Sequence, residues 1–236
     1  MFAYLDGSAG ASGDMLLAAL LDAGLPLAEL ERVVQALGLA DEVTLSTEKT
    51  AVGGFVATRL DVRTTERHRR QFGAMCEAIR GGDLPSPVRE ASERTLTRLA
   101  EVEARLHGVP LEQLHLHEIS GADTLVDIVG FHAGLAALGI ERLECSELNV
   151  GGGRVTFSHG TFAVPAPATA ELLRGVPTYG DGELELLTPT GAAILVTTVC
   201  RFGAQPRMST ERVGYSVGSR RTERPRVLRM ILGTPL

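Results

Sequence analysis

The chain has 236 residues, 44% of them hydrophobic, and a net charge of −6 that results from 23 Lys and Arg against 29 Asp and Glu. This length is enough for one large domain or two small ones with a substantial core. The acidic balance argues against nucleic acid as the main partner, and no apolar run reaches the roughly 18 residues of a membrane span, so we expect a soluble protein.

Cysteine usage indicates a reducing compartment. Cys76, Cys145 and Cys200 are far apart, odd in number and form no CxxC motif, so a disulfide framework is not expected. Each cysteine lies in an apolar pattern, which favours packing in the core over thiolate chemistry. No signal peptide precedes the first predicted strand, and we therefore expect a cytoplasmic protein.

The first predicted unit is a strand, a glycine-rich turn and a helix. Residues 2–5 form an apolar run typical of a buried strand, the turn reads GSAGASGDM, and a helix is predicted from about Ser12. Free N–H groups and the helix dipole make such a helix N-terminus a potential anion site. In the alternative interpretation the role of Asp14 is only structural, because its negative charge interacts favourably with the helix dipole. The candidate ligand-binding residues of this unit are Asp6, Gly10, Gly13 and Asp14.

Residues 27–107 are predicted to be mostly helical, with one hairpin. The hairpin consists of strands 42–45 and 55–62 around a turn. The predicted helices are 27–37, 67–80 and a long helix that ends at His107, with Ser86 as its N-cap and Pro87 at its first position.

Histidine and acidic residues concentrate in residues 114–130, which read LHLHEISGADTLVDIVG. Residues 114–119 alternate like a short strand, which would place His115 and His117 on one face and Glu118 on the other. From Ala122 the apolar period becomes helical. The residues that share the predicted apolar helix face are Leu125, Ile128, Val129, Phe131 and Leu135.

Asp123 and Asp127 lie four residues apart and share one side of this predicted helix. A carboxylate in the second turn of a mostly apolar helix needs solvent or a partner, because burying it alone is costly. We therefore take both as candidates for a metal or acid–base site. The alternative is that Ser120 and Asp123 form a capping box and the histidines are ordinary hydrogen-bonded strand residues.

The last part of the chain alternates short strands and turns. Strands are predicted at 143–150, 155–157 and 184–187, a helix at 169–173, and a closing hairpin at 212–217 and 227–232. His159 lies beside a turn and, taken alone, would be a turn histidine. The TPTGAA segment at 188–193 repeats the strand–turn–helix unit and is a second potential phosphate site. Its candidate residues are Thr188, Thr190 and Gly191.

Together these elements predict an α/β (α+β) fold. We expect a mixed sheet of about eight short strands, with five or six helices packed on it. The sequence GGDLPSP at 81–87 is a possible boundary, but we expect it to lie within one domain.

Five segments resemble the LarC family of nickel-insertion proteins, and they span nearly the whole chain. They are residues 4–15 (YLDGSAGASGDM), 114–130, 159–169 (HGTFAVPAPAT), 182–193 (GELELLTPTGAA) and 214–233. The resemblance implies that residues 1–236 are the family's N-terminal domain, without the usual C-terminal domain that binds CTP.

The resemblance also implies a reaction, in which nickel enters pyridinium-3,5-bisthiocarboxylic acid mononucleotide and forms one Ni–C and two Ni–S bonds. The product is the nickel-pincer cofactor. The implied cofactors are Ni(II) and CTP with Mg(II) or Mn(II), the CTP being bound mainly outside this chain. The expected partners are the mononucleotide substrate and a separate CTP-binding part, and a homo-oligomer is expected.

Residue roles follow from this implied chemistry. Imidazole suits Ni(II), so the expected nickel ligands are His115, His117, His159 and Glu118. Asp123 or Asp127 would take the proton from the pyridinium carbon. Backbone N–H groups of residues 10–14 or 188–191 would bind the phosphate.

Two other functions fit the same residues. A metal-dependent phosphoester hydrolase would use the same histidines, aspartates and glycine-rich turns. A non-catalytic module that docks onto a CTP-binding chain would need none of them for chemistry.

Replacing both His115 and His117 by Ala is expected to abolish nickel transfer, because it removes two of the expected ligands. A reconstituted nickel-transfer assay measures this directly, and unchanged transfer would contradict the ligand assignment.

Overall fold

The computed structural model of the protein describes residues 1–65, 70–114, 119–218 and 226–236. Seven α-helices and eleven strands lie within these ranges. The helices are α1 (Gly13–Asp22), α2 (Leu27–Ala36), α3 (Phe72–Gly81), α4 (Ser86–His107), α5 (Ala122–Ala137), α6 (Pro167–Leu172) and α7 (Pro189–Thr198). The strands are β1 (Phe2–Asp6), β2 (Val43–Val52), β3 (Phe55–Thr64), β4 (Arg142–Cys145), β5 (Leu148–Asn149), β6 (Arg154–Phe157), β7 (Gly160–Ala163), β8 (Thr178–Tyr179), β9 (Arg201–Phe202), β10 (Met208–Ser216) and β11 (Leu228–Pro235).

A mixed seven-stranded sheet carries the helices, in the order β2-β3-β10-β11-β1-β4-β9. Strand β1 lies inside the sheet, antiparallel to β11 and parallel to β4. The hairpin of β2 and β3 joins the other strands through the parallel pairing of Thr58 with Ser216. The predicted α/β class, with helices packed on a mixed sheet, is confirmed.

The two faces of the sheet are covered differently, as the alternation of β1 shows. Ala3 and Leu5 point into the main core beneath the helices, whereas Phe2 and Tyr4 pack with Ile231 in a small cluster on the other face. Helix α1 lies between the sheet and α5. All of residues 15–20 are therefore buried, because α1 is covered on both sides.

Several predicted elements are confirmed in type and place, including the first strand, α1, the β2–β3 hairpin and the closing β10–β11 hairpin. The predicted apolar face of α5 is buried throughout. Residues 115–118, and the start of the helix predicted from residue 67, lie outside the described residues. Helix α3 begins at Phe72.

Other predictions of detail are wrong. The strand predicted at 143–150 is two short strands, because after β4 the chain leaves the large sheet and β5 pairs with β8. The strand predicted at 184–187 makes only single bridges, to Ala11 and Gly151. Helix α4 has Pro85, not Ser86, as its N-cap.

The three cysteines are free thiols. Cys76 and Cys145 are buried as predicted, but Cys200 is exposed, so the prediction of core packing is wrong there. Among the described helices, none combines the length and the apolar character that crossing a lipid bilayer requires.

A buried histidine links three helices in the core. His132 of α5 is 7% exposed, and its Nε2 atom lies 2.9 Å from Thr95 Oγ1 of α4. Thr95 Oγ1 in turn lies 2.7 Å from Thr197 Oγ1 of α7. Burial, with a smaller effect of the Arg94 charge, lowers the pKa of His132 to about 4.

The depressed pKa of His132 predicts a loss of stability in acid. The unfolded chain binds a proton at this histidine below about pH 6.5, while the folded protein does not until about pH 4, so stability falls as the pH drops through that window. Between pH 7 and pH 5 the wild type should lose about 2 kcal/mol more unfolding free energy than His132→Gln. Urea denaturation at both pH values measures this, and equal losses in the two proteins would contradict it.

Candidate functional site

Three helix N-termini open onto one cleft of about 950 Å³. Helix α1 contributes residues 12–15, α5 contributes Asp123, Thr124 and Asp127, and α7 contributes Thr190 and its N-cap Thr188. The remaining lining residues are Ala9, the hairpin tip 50–53, residues 59–62 of β3, the loop 184–186, Val217, Gly218 and Arg226. The two glycine-rich turns and the acidic helix face predicted from sequence therefore meet in one place.

Asp127 is the most unusual group in the cleft. Its Oδ1 atom is buried and has no hydrogen-bond partner among the described residues. Burial raises the pKa of this carboxyl well above its usual value, and the neighbouring charges of Asp14 and Asp123 raise it further. An unpaired buried carboxylate is costly, and such strongly perturbed groups in clefts are typical of functional sites.

The start of α1 packs directly against this carboxylate. A methyl group in place of the Gly13 hydrogen would come within 2.1 Å of Asp127 Oδ2, so only glycine permits the contact. The next residue, Asp14, accepts a hydrogen bond from the Ser12 hydroxyl. Burial nevertheless raises the pKa of Asp14, so two carboxyls that favour protonation lie side by side.

The other two predicted glycines bring backbone segments together. A Cβ atom at Gly10 would meet the Leu186 carbonyl oxygen at 2.1 Å, and one at Gly191 would meet the Ala11 carbonyl oxygen at 2.4 Å. These contacts hold the turn before α1 against the turn before α7. Thr188 caps α7 by accepting a hydrogen bond from the Gly191 N–H at 3.2 Å. Phosphate binding by residues 10–14 or 188–191 stays a prediction.

Asp123 lies in the first turn of α5 and is exposed at the mouth of the cleft. Its Oδ1 atom accepts a hydrogen bond from the Thr124 N–H at 2.9 Å. The N-cap of α5 is Gly121, so the alternative in which Ser120 and Asp123 form a capping box is wrong. Asp123 is thus available to a ligand in the cleft.

Two predicted site residues lie away from these cleft walls. Asp6 accepts hydrogen bonds from the Ser8 N–H at 3.1 Å and from Arg229 Nη2 at 2.8 Å. Although desolvation opposes it, these bonds hold the pKa of Asp6 below its usual value, which fits a structural ion pair. His159 is exposed, and its ring lies 4.9 Å from that of His107, at the end of α4.

The predicted nickel ligands are only partly placed. His115, His117 and Glu118 lie outside the described residues. In the part of the chain that is described, no group of three or more His, Cys, Asp or Glu side chains is close enough to hold a metal ion. Nickel coordination by His115, His117, Glu118 and His159 therefore stays a prediction.

Among the described residues, sequence reasoning missed four charged residues of the cleft, which are Arg59, Asp61, Glu185 and Arg226. Arg59 and Asp61 sit two apart on β3, where alternation alone would mark them only as polar strand positions. Arg226 follows the charged RRTER segment. That segment predicted a loop, but it did not predict that Arg226 would line the cleft. In each case the position in the cleft depends on packing between distant segments.

Comparison with known proteins gives a consistent result. A model of the nickel insertion protein family matches residues 3–235. The pyridinium-3,5-bisthiocarboxylic acid mononucleotide nickel insertion protein of Desulfitobacterium hafniense is 47% identical over 234 residues, which is 98% of this chain and 58% of that protein. The protein of the same name from Nocardioides is 43% identical over 236 residues, or 99% of this chain and 60% of the relative.

A putative nickel insertion protein of Desulfotalea psychrophila is also 43% identical over 236 residues, with 98% of this chain and 60% of that protein covered. The chain thus spans about three-fifths of the length of these relatives. No solved structure matches it.

Replacing the ionisable carboxyl of Asp127 by a neutral amide should stabilise the protein. Because the pKa of Asp127 is raised, the folded state holds a proton that the unfolded state releases, so stability is lost as the pH rises above the usual Asp range. Asp127→Asn should therefore increase the unfolding free energy at pH 7 by about 1 kcal/mol, and the gain should shrink towards pH 4. Chemical denaturation at both pH values tests this.

The matched control is Asp83→Asn, an exposed aspartate outside the cleft, which should change stability by less than about 0.5 kcal/mol. A destabilised Asp127→Asn at pH 7 would show that the carboxylate is well satisfied and would contradict the interpretation.

Proposed function

Because the chain belongs to the nickel insertion protein family, we propose that its cleft inserts nickel into pyridinium-3,5-bisthiocarboxylic acid mononucleotide. The observation that carries the proposal is Asp127, a half-buried cleft residue whose Oδ1 atom is buried and has no partner among the described residues. Keeping such a group costs stability. A reaction that needs a proton acceptor of raised pKa accounts for its presence.

The proposed step replaces a C–H bond of the pyridinium ring by a Ni–C bond. The electron pair of the C–H bond passes to the new Ni–C bond, nickel remains Ni(II), and the carbon's proton must leave. The two thiocarboxylate sulfur atoms donate to the metal without a change of oxidation state. Asp127 accepts the proton, and its raised pKa makes it a stronger base than an exposed aspartate.

The charge of the cleft suits the cationic reactants. Asp14, Asp123 and Asp127 are close enough for the charges of the first two to raise the pKa of Asp127. Their negative potential favours both Ni(II) and the positive pyridinium ring. Delivery of nickel by His115, His117, Glu118 and His159 is part of the proposal.

The same charge argues that CTP is bound elsewhere. The described part of the cleft walls carries five carboxylates, those of Asp14, Asp61, Asp123, Asp127 and Glu185, against the two guanidiniums of Arg59 and Arg226. A triphosphate would be repelled from such a surface unless metal ions neutralised it. We therefore assign CTP, with Mg(II) or Mn(II), to a part of the protein outside these 236 residues.

Asp127→Asn should lower the rate of nickel insertion by about 100-fold or more, since it removes the general base. The rate is followed by the absorbance of the nickel–sulfur product in a mixture of Ni(II), the mononucleotide, CTP and Mn(II), with the CTP-binding part added as a separate polypeptide. The wild-type rate should rise with pH through the raised pKa of Asp127, and this dependence should be absent in the variant.

Asp83→Asn serves as the control and should keep the wild-type rate. Full activity in Asp127→Asn would overturn its role as the base. If the wild type inserts no nickel but hydrolyses phosphomonoesters with Mg(II) or Mn(II), and Asp127→Asn does not, the protein is a phosphoester hydrolase instead.

A further inference from the structure

Arg226 brings a positive charge into the acidic cleft, and no ion pair to it is formed within the described residues. It lies just before β11 and lines the cleft. Its Nε atom is buried, and the described part of the chain offers that atom no hydrogen-bond partner. A buried guanidinium N–H without an acceptor costs free energy, so its retention calls for a ligand that supplies the acceptor.

The other cleft arginine differs in this respect. Arg59 Nη2 donates to Glu48 Oε2 at 3.0 Å and to Thr50 Oγ1 at 3.2 Å, both on the neighbouring strand. Its charge is therefore already balanced within the hairpin. Of the two guanidiniums on the described cleft walls, Arg226 is the one with a buried donor atom that lacks an acceptor among the described residues.

The wall against which Arg226 packs is shaped for it. Gly182 has a φ of +130°, and a Cβ atom there would come within 2.5 Å of Arg226 Nη2. The guanidinium thus fills the space that a side chain at position 182 would occupy. The GDG sequence at 180–182, which the proposed chemistry does not use, forms the surface against which this arginine packs.

That wall is also held rigidly. The Asn149 side chain, 3% exposed, accepts hydrogen bonds from the Gly151 and Asp181 N–H groups, each at 3.0 Å. The Gly152 N–H donates to the Leu184 carbonyl at 3.1 Å. Such fixed surroundings preorganise the guanidinium, which lowers the cost of ordering it when a ligand binds.

We propose that Arg226 binds the phosphate of the mononucleotide substrate, an inference that rests on the proposed function. Guanidinium groups bind oxyanions through paired, charge-assisted hydrogen bonds. In a cleft dominated by carboxylates, a phosphate is attracted at Arg226 and repelled near Asp14 and Asp127. The mononucleotide is thereby oriented, with its phosphate at Arg226 and its pyridinium ring at the acidic end.

Equilibrium binding of two probes tests this proposal. Nicotinic acid mononucleotide carries a pyridinium ring, a ribose and a phosphate, and nicotinic acid riboside lacks only the phosphate. The wild type should bind the mononucleotide more tightly than the riboside. Arg226→Gln should weaken mononucleotide binding roughly 10- to 100-fold and leave riboside binding unchanged, as measured by calorimetry on the full chain.

Two further variants separate charge and geometry from a folding defect. Arg226→Lys keeps the charge but loses the planar fork, so its mononucleotide affinity should lie between those of the wild type and Arg226→Gln. Arg207→Gln, at an exposed arginine away from the cleft, should bind both probes like the wild type. Circular dichroism checks that each variant is folded.

The outcomes distinguish this inference from the proposed function. If the wild type prefers the mononucleotide but Arg226→Gln binds it equally well, the phosphate lies elsewhere and the role of Arg226 is refuted, while the proposed function stands. If the wild type binds neither probe, the cleft is not a mononucleotide site, and both proposals fail.

Discussion

The contact between the first turn of α1 and the carboxylate of Asp127 is the constraint on which the site depends. Gly13 leaves no room for a side chain there, and α1 is itself clamped between the sheet and α5. The backbone of α1 therefore lies directly against the carboxylate, and loss of solvent around it, together with the charges of Asp14 and Asp123, raises its pKa.

The cleft combines this carboxylate with both acidic and basic side chains on its walls. Acidic groups from α1 and α5 form one part of the walls, and Arg226 lies against the glycine-rich loop at 180–182. A zwitterionic ligand with separated charges fits such a surface in one orientation only. Orientation by charge complements shape, because it also disfavours ligands that carry the charges in the reverse order.

Local patterns in the sequence were sufficient for some features and not for others. The strand at 2–6, the helix after it and the apolar face of α5 follow from short-range periodicity. Asp127 could be singled out because a carboxylate in an apolar helix is unfavourable in any fold. The group that packs against a glycine cannot be predicted from the neighbouring sequence. Gly10 was predicted as part of a phosphate site, and the close approach of the Leu186 carbonyl to it depends on a segment far away in sequence. Arg226 is likewise placed by the pairing of β11 with β1 and β10.

The position of β1 has a consequence for the synthesis of the protein. Strand β1, the first strand of these 236 residues, pairs with β11, the last of them, with Phe2 opposite Gly233. The centre of the sheet cannot close until β11 has emerged, and such long-range pairing forms slowly. Since the cleft draws on residues from Ala9 to Arg226, a nascent chain has no assembled cleft until its last strand has been made.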